Sequence, residues 1–170
     1  LSRRIRVTDV MTGQILWDSG EVESENQILI PYEGESLSPL TKYEYQIDIK
    51  TDSGEAASGK GTFVTGKLGE KWSGKWISAD FKRTREEFLG AQYLRKEFTL
   101  SGTVRSAYLA ICGLGYFEAY LNGKKTGDDM LSPAFTRYDA ECMYMVYDVL
   151  PLVKSGKNTV GVILGNGWYN

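Results

Sequence analysis

The chain has 170 residues, 42% of them hydrophobic and 25% charged, ordinary proportions for a globular protein of one or two domains. Its net charge is −2 with both signs interspersed, so it offers no basic stripe for nucleic acid, and no run of eighteen apolar residues is available to span a membrane. It contains no histidine, which removes Ser-His-Asp and Cys-His nucleophile chemistry from this chain.

Twelve per cent aromatics and nineteen glycines, set among Ser, Thr and Asn, point to β-structure with tight turns. Ile5 to Val10 alternates, turns at Thr12-Gly13 and returns through Gln14 to Gly20 as a hairpin. Gln27-Ile28-Leu29-Ile30 reads as a third strand stopped by Pro31. Lys42 to Ile49 alternates strictly, with Tyr43, Tyr45, Ile47 and Ile49 on one face. Asp52-Ser53-Gly54 then turns the chain, and Gly61 to Thr65 closes a module over residues 1–66. That is fewer strands than a full immunoglobulin-like sandwich carries.

Residues 67–71 are polar, Gly-containing and without periodicity, and mark a linker. A second module, 72–170, opens on Trp72 and Trp76, which read as caps on a core or a wedge between modules, with exposed sugar stacking as the alternative. Phe81 to Gly90 is charged and unpatterned, a surface loop. Tyr93 to Leu100 and Val104 to Ile111 are strands. In Gly113 to Gly127, Phe117, Ala119 and Leu121 share one face, and Tyr116, Glu118 and Tyr120 share the other. Asn122-Gly123 is a strong hairpin signal, because a type I′ turn needs positive φ at both central residues. Cys142 to Val149 and Asn158 to Leu164 add two strands, separated by a Ser155-Gly156 turn. No helix longer than about two turns is expected, and the pattern gives an antiparallel all-β protein.

Carboxylates are then the remaining candidates for catalysis. Glycoside hydrolysis needs two of them facing one bond, about 5–5.5 Å apart for retention and 6.5–9.5 Å for inversion. Glu86-Glu87 and Asp128-Asp129 are sequence neighbours whose side chains diverge in extended chain, so both pairs read as solvated surface acids. The alternative for Asp128-Asp129, with Asn122 nearby, is a calcium site, which no D-x-D-x-D-G spacing supports. No catalytic residue is assigned. Cys112 and Cys142 lie in apolar strand-like runs and read as small hydrophobes, with a disulfide between them left open. Without a C-x-x-C pair they do not suggest zinc. The chemistry that remains is sugar recognition by aromatics beside amides and carboxylates: Tyr116, Glu118 and Tyr120 on one strand face, and Asn166, Trp168, Tyr169 and Asn170 at the end. The competing reading is that these aromatics pack against another domain.

The runs Gly115 to Asp128, Leu131 to Asp139 and Leu164-Gly-Asn-Gly-Trp-Tyr169 resemble the rhamnosidase N-domain of bacterial α-L-rhamnosidases. Leu16-Trp-Asp-Ser-Gly20 and Leu37 to Tyr45 resemble the fibronectin-III-like module before it, and Trp72 to Ile77 the junction. The resemblance implies two antiparallel β-sandwich modules, fibronectin-III/immunoglobulin-like and then jelly-roll (galactose-binding-like), both truncated. It also implies a parent enzyme that releases L-rhamnose with inversion, using carboxylates of an (α/α)6 barrel that lies outside these residues. Some members bind rhamnose through calcium in the second module, although this sequence carries Phe117-Glu118 where they carry a more polar pair. By resemblance, the substrate-binding candidates are Tyr116, Glu118, Asn166 and Trp168, and the calcium candidates are Glu118 and Asn166; no other cofactor is implied.

The expectation is therefore a non-catalytic accessory region whose partners are rhamnose-containing glycans and the downstream catalytic domain. The alternatives are a free-standing carbohydrate-binding or adhesion protein and a ligand-free spacer. An early end to the jelly-roll would leave residues 158–164 as an open edge, available for pairing with a second copy. Leu1-Ser2-Arg3-Arg4 begins no Met-led secretory signal, so the chain reads as an excerpt and both cytoplasmic and secreted locations stand.

Overall fold

A computed structural model describes residues 1–79 and 90–169. The chain divides into two compact units, Leu1–Lys71 and Trp72–Asn170. Among the described residues every strand pairing is antiparallel. Among the described residues the single helical element is a 3-10 turn at Leu150–Leu152, and no helix is long and apolar enough to cross a membrane. The all-β reading holds.

The first unit holds β1 (Ser2–Asp9), β2 (Ile15–Asp18), β3 (Val22–Glu23), β4 (Lys42–Lys50) and β5 (Ala56–Val64) in one sheet. β1 pairs with β4 on one side, and with β2 and then β3 on the other. Ile5, Val7 and Tyr43 are buried, as their alternation requires, and the Tyr43 and Phe63 rings lie 5.6 Å apart. The inward row on β4 is only partly covered: Tyr45 and Ile49 stay 38% and 40% exposed.

Residues 27–30 form no strand, contrary to their composition. Leu29 takes a φ of 52° and is almost fully exposed, which ends any extended run. The place beside β1 goes instead to Val22–Glu23, which pairs with Ser2 and Arg3. Three apolar residues without alternation carry too little information to claim a partner.

Two ion pairs tie β1 to its neighbours. Arg4 holds Asp18 of β2 in a fork at 2.8 and 2.5 Å, and Arg6 meets Asp48 of β4 at 2.7 Å. The Arg4 guanidinium, helped by the Gly20 backbone amide, lowers the Asp18 carboxyl from its ordinary 3.8 to about 2. Ser58, Gln46 and Arg6 together hold Asp48 at about 2 as well. A carboxylate depressed on folding contributes stability that is complete above the ordinary value and is lost as pH falls through the folded one. Urea midpoints of the chain should therefore drop between about pH 4 and pH 2. The double substitution Asp18→Asn, Asp48→Asn should flatten that drop, and an unchanged slope would refute the assignment.

The second unit holds β6 (Gln92–Leu100), β7 (Tyr108–Ile111), β8 (Phe117–Leu121), β9 (Lys124–Lys125), β10 (Met145–Asp148) and β11 (Gly156–Leu164). One sheet runs β6-β11-β8-β9, and β7 pairs with β10 as a second sheet. Phe117, Ala119 and Leu121 are buried on one face of β8, as the period of two requires. Asn122 and Gly123 join β8 to β9 with φ of 52° and 83°, the positive pair that a type I′ turn demands.

The expected open edge at residues 158–164 is overturned. β11 pairs with β6 along its whole length and with β8 from Val160 to Leu164, so it is an interior strand. The last strand in sequence has been inserted between two earlier ones. That crossover leaves β6 and β9 as the ends of the four-stranded sheet.

Candidate functional site

Strand pairing places the predicted residues. Phe117 at the start of β8 lies opposite Leu164 at the end of β11, so the loop before β8 meets the loop after β11. The Gly165 amide donates to the Tyr116 carbonyl at 2.7 Å, locking the two loops. Gly115, at a φ of 116°, sits directly against the carbonyls of Gly165 and Asn166, an approach that only a residue without Cβ allows. Trp168 then donates its indole Nε1–H to the Tyr116 hydroxyl at 2.8 Å. Tyr116, Asn166 and Trp168 are thereby brought together.

Residues 131–139 complete this end of the unit. The Ser132 carbonyl accepts from the Phe117 amide at 2.8 Å, which anchors the segment beside β8. Phe135 packs edge-on against Tyr138 at 5.6 Å and against Trp168 at 6.1 Å, and Tyr138 against Tyr169 at 5.5 Å. The result is a five-ring platform of Tyr116, Phe135, Tyr138, Trp168 and Tyr169, with Trp168 70% and Phe135 61% exposed. Sequence reasoning missed Phe135 and Tyr138 as site residues. Their signal was available in two aromatics three apart within a strandless, Pro-containing run, but nothing local tied that run to Trp168.

Glu118 belongs to a different grouping. Its carboxylate accepts from the Tyr120 hydroxyl at 2.6 Å and from Lys125 Nζ at 2.7 Å, and Lys125 also reaches the Asp129 carbonyl at 3.1 Å. The Lys125 ammonium and then the Tyr120 hydroxyl hold Glu118 below the usual carboxylate range. The same contacts hold Lys125 and Tyr120 above theirs. Asp128 is exposed, as expected. Asp129 is not a solvated neighbour: it is half-buried and accepts from Tyr147 at 2.7 Å. Burial, then that bond, pushes the Tyr147 phenol far up. Glu86, Glu87 and Asn170 lie outside the described residues. Among those described, no group of three or more Cys, Asp or Glu side chains is placed to hold a metal ion.

A cleft of about 820 Å³ opens between the two sheets of this unit. Leu94, Phe117 and Leu164 line it from one sheet and Ile111 from the other, with Trp72 and Trp76 contributing as well. Trp72 packs edge-on to Tyr144 at 5.4 Å, whereas Trp76 is 66% exposed.

Residues 2–69 match the family described as Rha78A-like, N-terminal immunoglobulin domain, and residues 102–170 match the alpha-L-rhamnosidase N-terminal domain. The chain belongs to the amino-terminal region of the alpha-L-rhamnosidases. An alpha-L-rhamnosidase of Formosa agariphila is 35% identical over 91% of the chain, and one of an Alteromonas species is 28% identical over 95%. Each match takes in 18% of the relative, so the chain spans under a fifth of the length of the curated rhamnosidases it resembles. Among solved structures, the alpha-L-rhamnosidase from Dictyoglumus thermophilum aligns with 97% of the chain at 32% identity and a TM-score of 0.79. That from Aspergillus terreus aligns with 99% at 26% identity and a TM-score of 0.87. The chain covers 21% and 20% of those two structures. In these relatives the rhamnosidase amino-terminal region is thus a small part of a much larger protein.

Proposed function

We propose that this chain is a non-catalytic accessory region of an α-L-rhamnosidase, supporting a catalytic domain that lies outside these residues and holding rhamnose-containing glycans or glycosides beside it. The observation that carries the reading is the near end-to-end match to one-fifth of proteins named for that activity. The parent reaction would be release of terminal L-rhamnose by an inverting glycoside hydrolase. Its two carboxylates must face one bond across room for a water. The described acids Glu118 and Asp129 are already engaged, by Lys125 and Tyr120 and by Tyr147.

Sugar recognition is assigned to the aromatic end of the second unit. A rhamnose ring presents an apolar C–H face that can stack on the exposed Trp168 indole, with Tyr116 and Asn166 supplying polar rims and Glu118 further along β8. Calcium, if it takes part, would draw on Glu118 and Asn166. Titration of the chain with L-rhamnose, followed by tryptophan fluorescence with and without calcium, tests both points. Saturable binding weakened about tenfold by Trp168→Ala is expected, a loss of about 1.4 kcal/mol. No binding up to millimolar sugar would remove the recognition role.

An aryl rhamnoside should be cleaved by the longer protein and left intact by this chain. Turnover by the chain itself, abolished at one Asp or Glu, would overturn the accessory reading. The 85% and 71% exposure of Met130 and Leu131 beside the platform favours a second role for the same face, contact with the remainder of the longer protein.

A further inference from the structure

Cys112 follows β7 directly, and Cys142 stands three residues before β10. β7 and β10 pair antiparallel with Ile111 opposite Met145, so the segments holding the two cysteines leave the ladder side by side. The Cys112 thiol donates to the carbonyl of Met143, the residue bonded to Cys142, at 3.1 Å. Its sulfur therefore reaches the residue that follows the second cysteine in the chain. Both side chains are half-buried, both line the same cleft, and both are free thiols in this structure. A disulfide needs its two Cα atoms about 4.4–6.8 Å apart, a separation compatible with neighbouring segments of a ladder.

We propose that Cys112 and Cys142 are a redox-responsive pair that closes into a disulfide within the second unit. The oxidant is a low-molecular-weight disulfide of the glutathione class. A thiolate of one cysteine attacks a sulfur of oxidised glutathione, releasing one glutathione and leaving a mixed disulfide. The other protein thiolate attacks the protein sulfur of that adduct and expels the second glutathione. Two protein thiols are oxidised, and one glutathione disulfide is reduced to two thiols. Burial, with the nearby Cys142 charge next, holds the Cys112 thiol above its usual range, so oxidation should speed up as pH rises.

The closed loop would run from Cys112 to Cys142 and would contain β8, β9, Phe135 and Tyr138. The Tyr138 carbonyl lies 4.0 Å from the Cys142 sulfur. The redox state of the pair is thereby linked to the segment that builds the aromatic platform. Closing a loop of this length also restricts the unfolded chain and should raise the melting temperature.

The test equilibrates the folded chain in graded mixtures of reduced and oxidised glutathione, alkylates the remaining thiols under denaturing conditions and maps peptides by mass spectrometry. The expected product is a linked 112–142 peptide pair from a monomer. It should form at a more reducing ratio in native buffer than in 8 M urea, about the concentration that unfolds most domains. Cys142→Ser should replace the link with a glutathione adduct on Cys112. Full alkylation of both thiols in pure oxidised glutathione, separate adducts without the link, or equal midpoints in native and denatured chain would each overturn the proposal.

Discussion

Substituting Gly115→Ala should dismantle the aromatic end of the second unit. A Cβ at this position would overlap the Gly165 carbonyl oxygen and stand 2.8 Å from that of Asn166, and both obstacles are backbone rather than pliable side chain. The φ of 116° adds strain for any residue with a side chain. Gly167, facing it at a φ of 54°, is crowded as well: its own Cβ would lie 2.8 Å from the Gly115 Cα, so backbone meets backbone from both sides. Strain and overlap together should cost about 3–5 kcal/mol, a large share of the stability of a single domain. Gly102→Ala is the control, since Gly102 also has positive φ (78°) but no atom within 4 Å of the added methyl. It should cost only about 1 kcal/mol. Urea denaturation and near-ultraviolet circular dichroism read both effects. Equal losses from the two variants would show that backbone conformation alone matters and that the loop–loop approach does not.

The second large effect is expected at Asn158, 1% exposed and the polar centre of the second unit. Its Nδ2 donates to the carbonyls of Lys154 at 2.7 Å and Gly156 at 2.9 Å. Its Oδ1 accepts from the Lys154 amide at 3.0 Å and from Asn122 Nδ2 at 2.9 Å. Asn122 in turn donates to the Leu152 carbonyl at 2.9 Å and accepts from the Thr159 amide at 3.0 Å. One buried side chain thus satisfies the turn before β11 and couples it to the β8–β9 hairpin.

Asn158→Leu would strand those partners away from water, at about 1–3 kcal/mol each and less than additively, for a total near 4 kcal/mol. Asn122→Gly separates network from turn geometry, because glycine accepts the type I′ dihedrals and removes only the amide. It should cost about 2 kcal/mol. A drop in the urea midpoint for Asn158→Leu no larger than for Asn122→Gly would refute the ranking.

Both residues illustrate how unevenly the fold could be read. The Asn122-Gly123 turn and the buried face of Phe117, Ala119 and Leu121 follow from local chemistry, because positive φ and the period of two are properties of a few consecutive residues. Asn158 reads from sequence as the first residue of a strand, and nothing in its neighbourhood announces a hub that joins residues 122, 154 and 156. Tyr116 and Trp168 were legible as aromatics in polar company, but their mutual hydrogen bond spans 52 positions. Phe135 and Tyr138 lie in the Leu131 to Asp139 run, which carries the family likeness but names no neighbour in space. The Gln27 to Ile30 run misled because its composition suits a strand while lacking the alternation that would bind it to a sheet.

The class of protein follows from the residues alone: antiparallel strands, tight turns, no histidine chemistry, and a likeness to rhamnosidase amino-terminal regions carried by motifs in order. These are local or compositional properties, written in short stretches of chain. Tertiary structure alone decided which strand lies beside which. It put β11 between β6 and β8, withdrew the edge expected at residues 158–164, and gathered rings from three separated segments onto one platform. Pairing of this kind is settled by the burial of many faces at once, and no short stretch of residues contains that information.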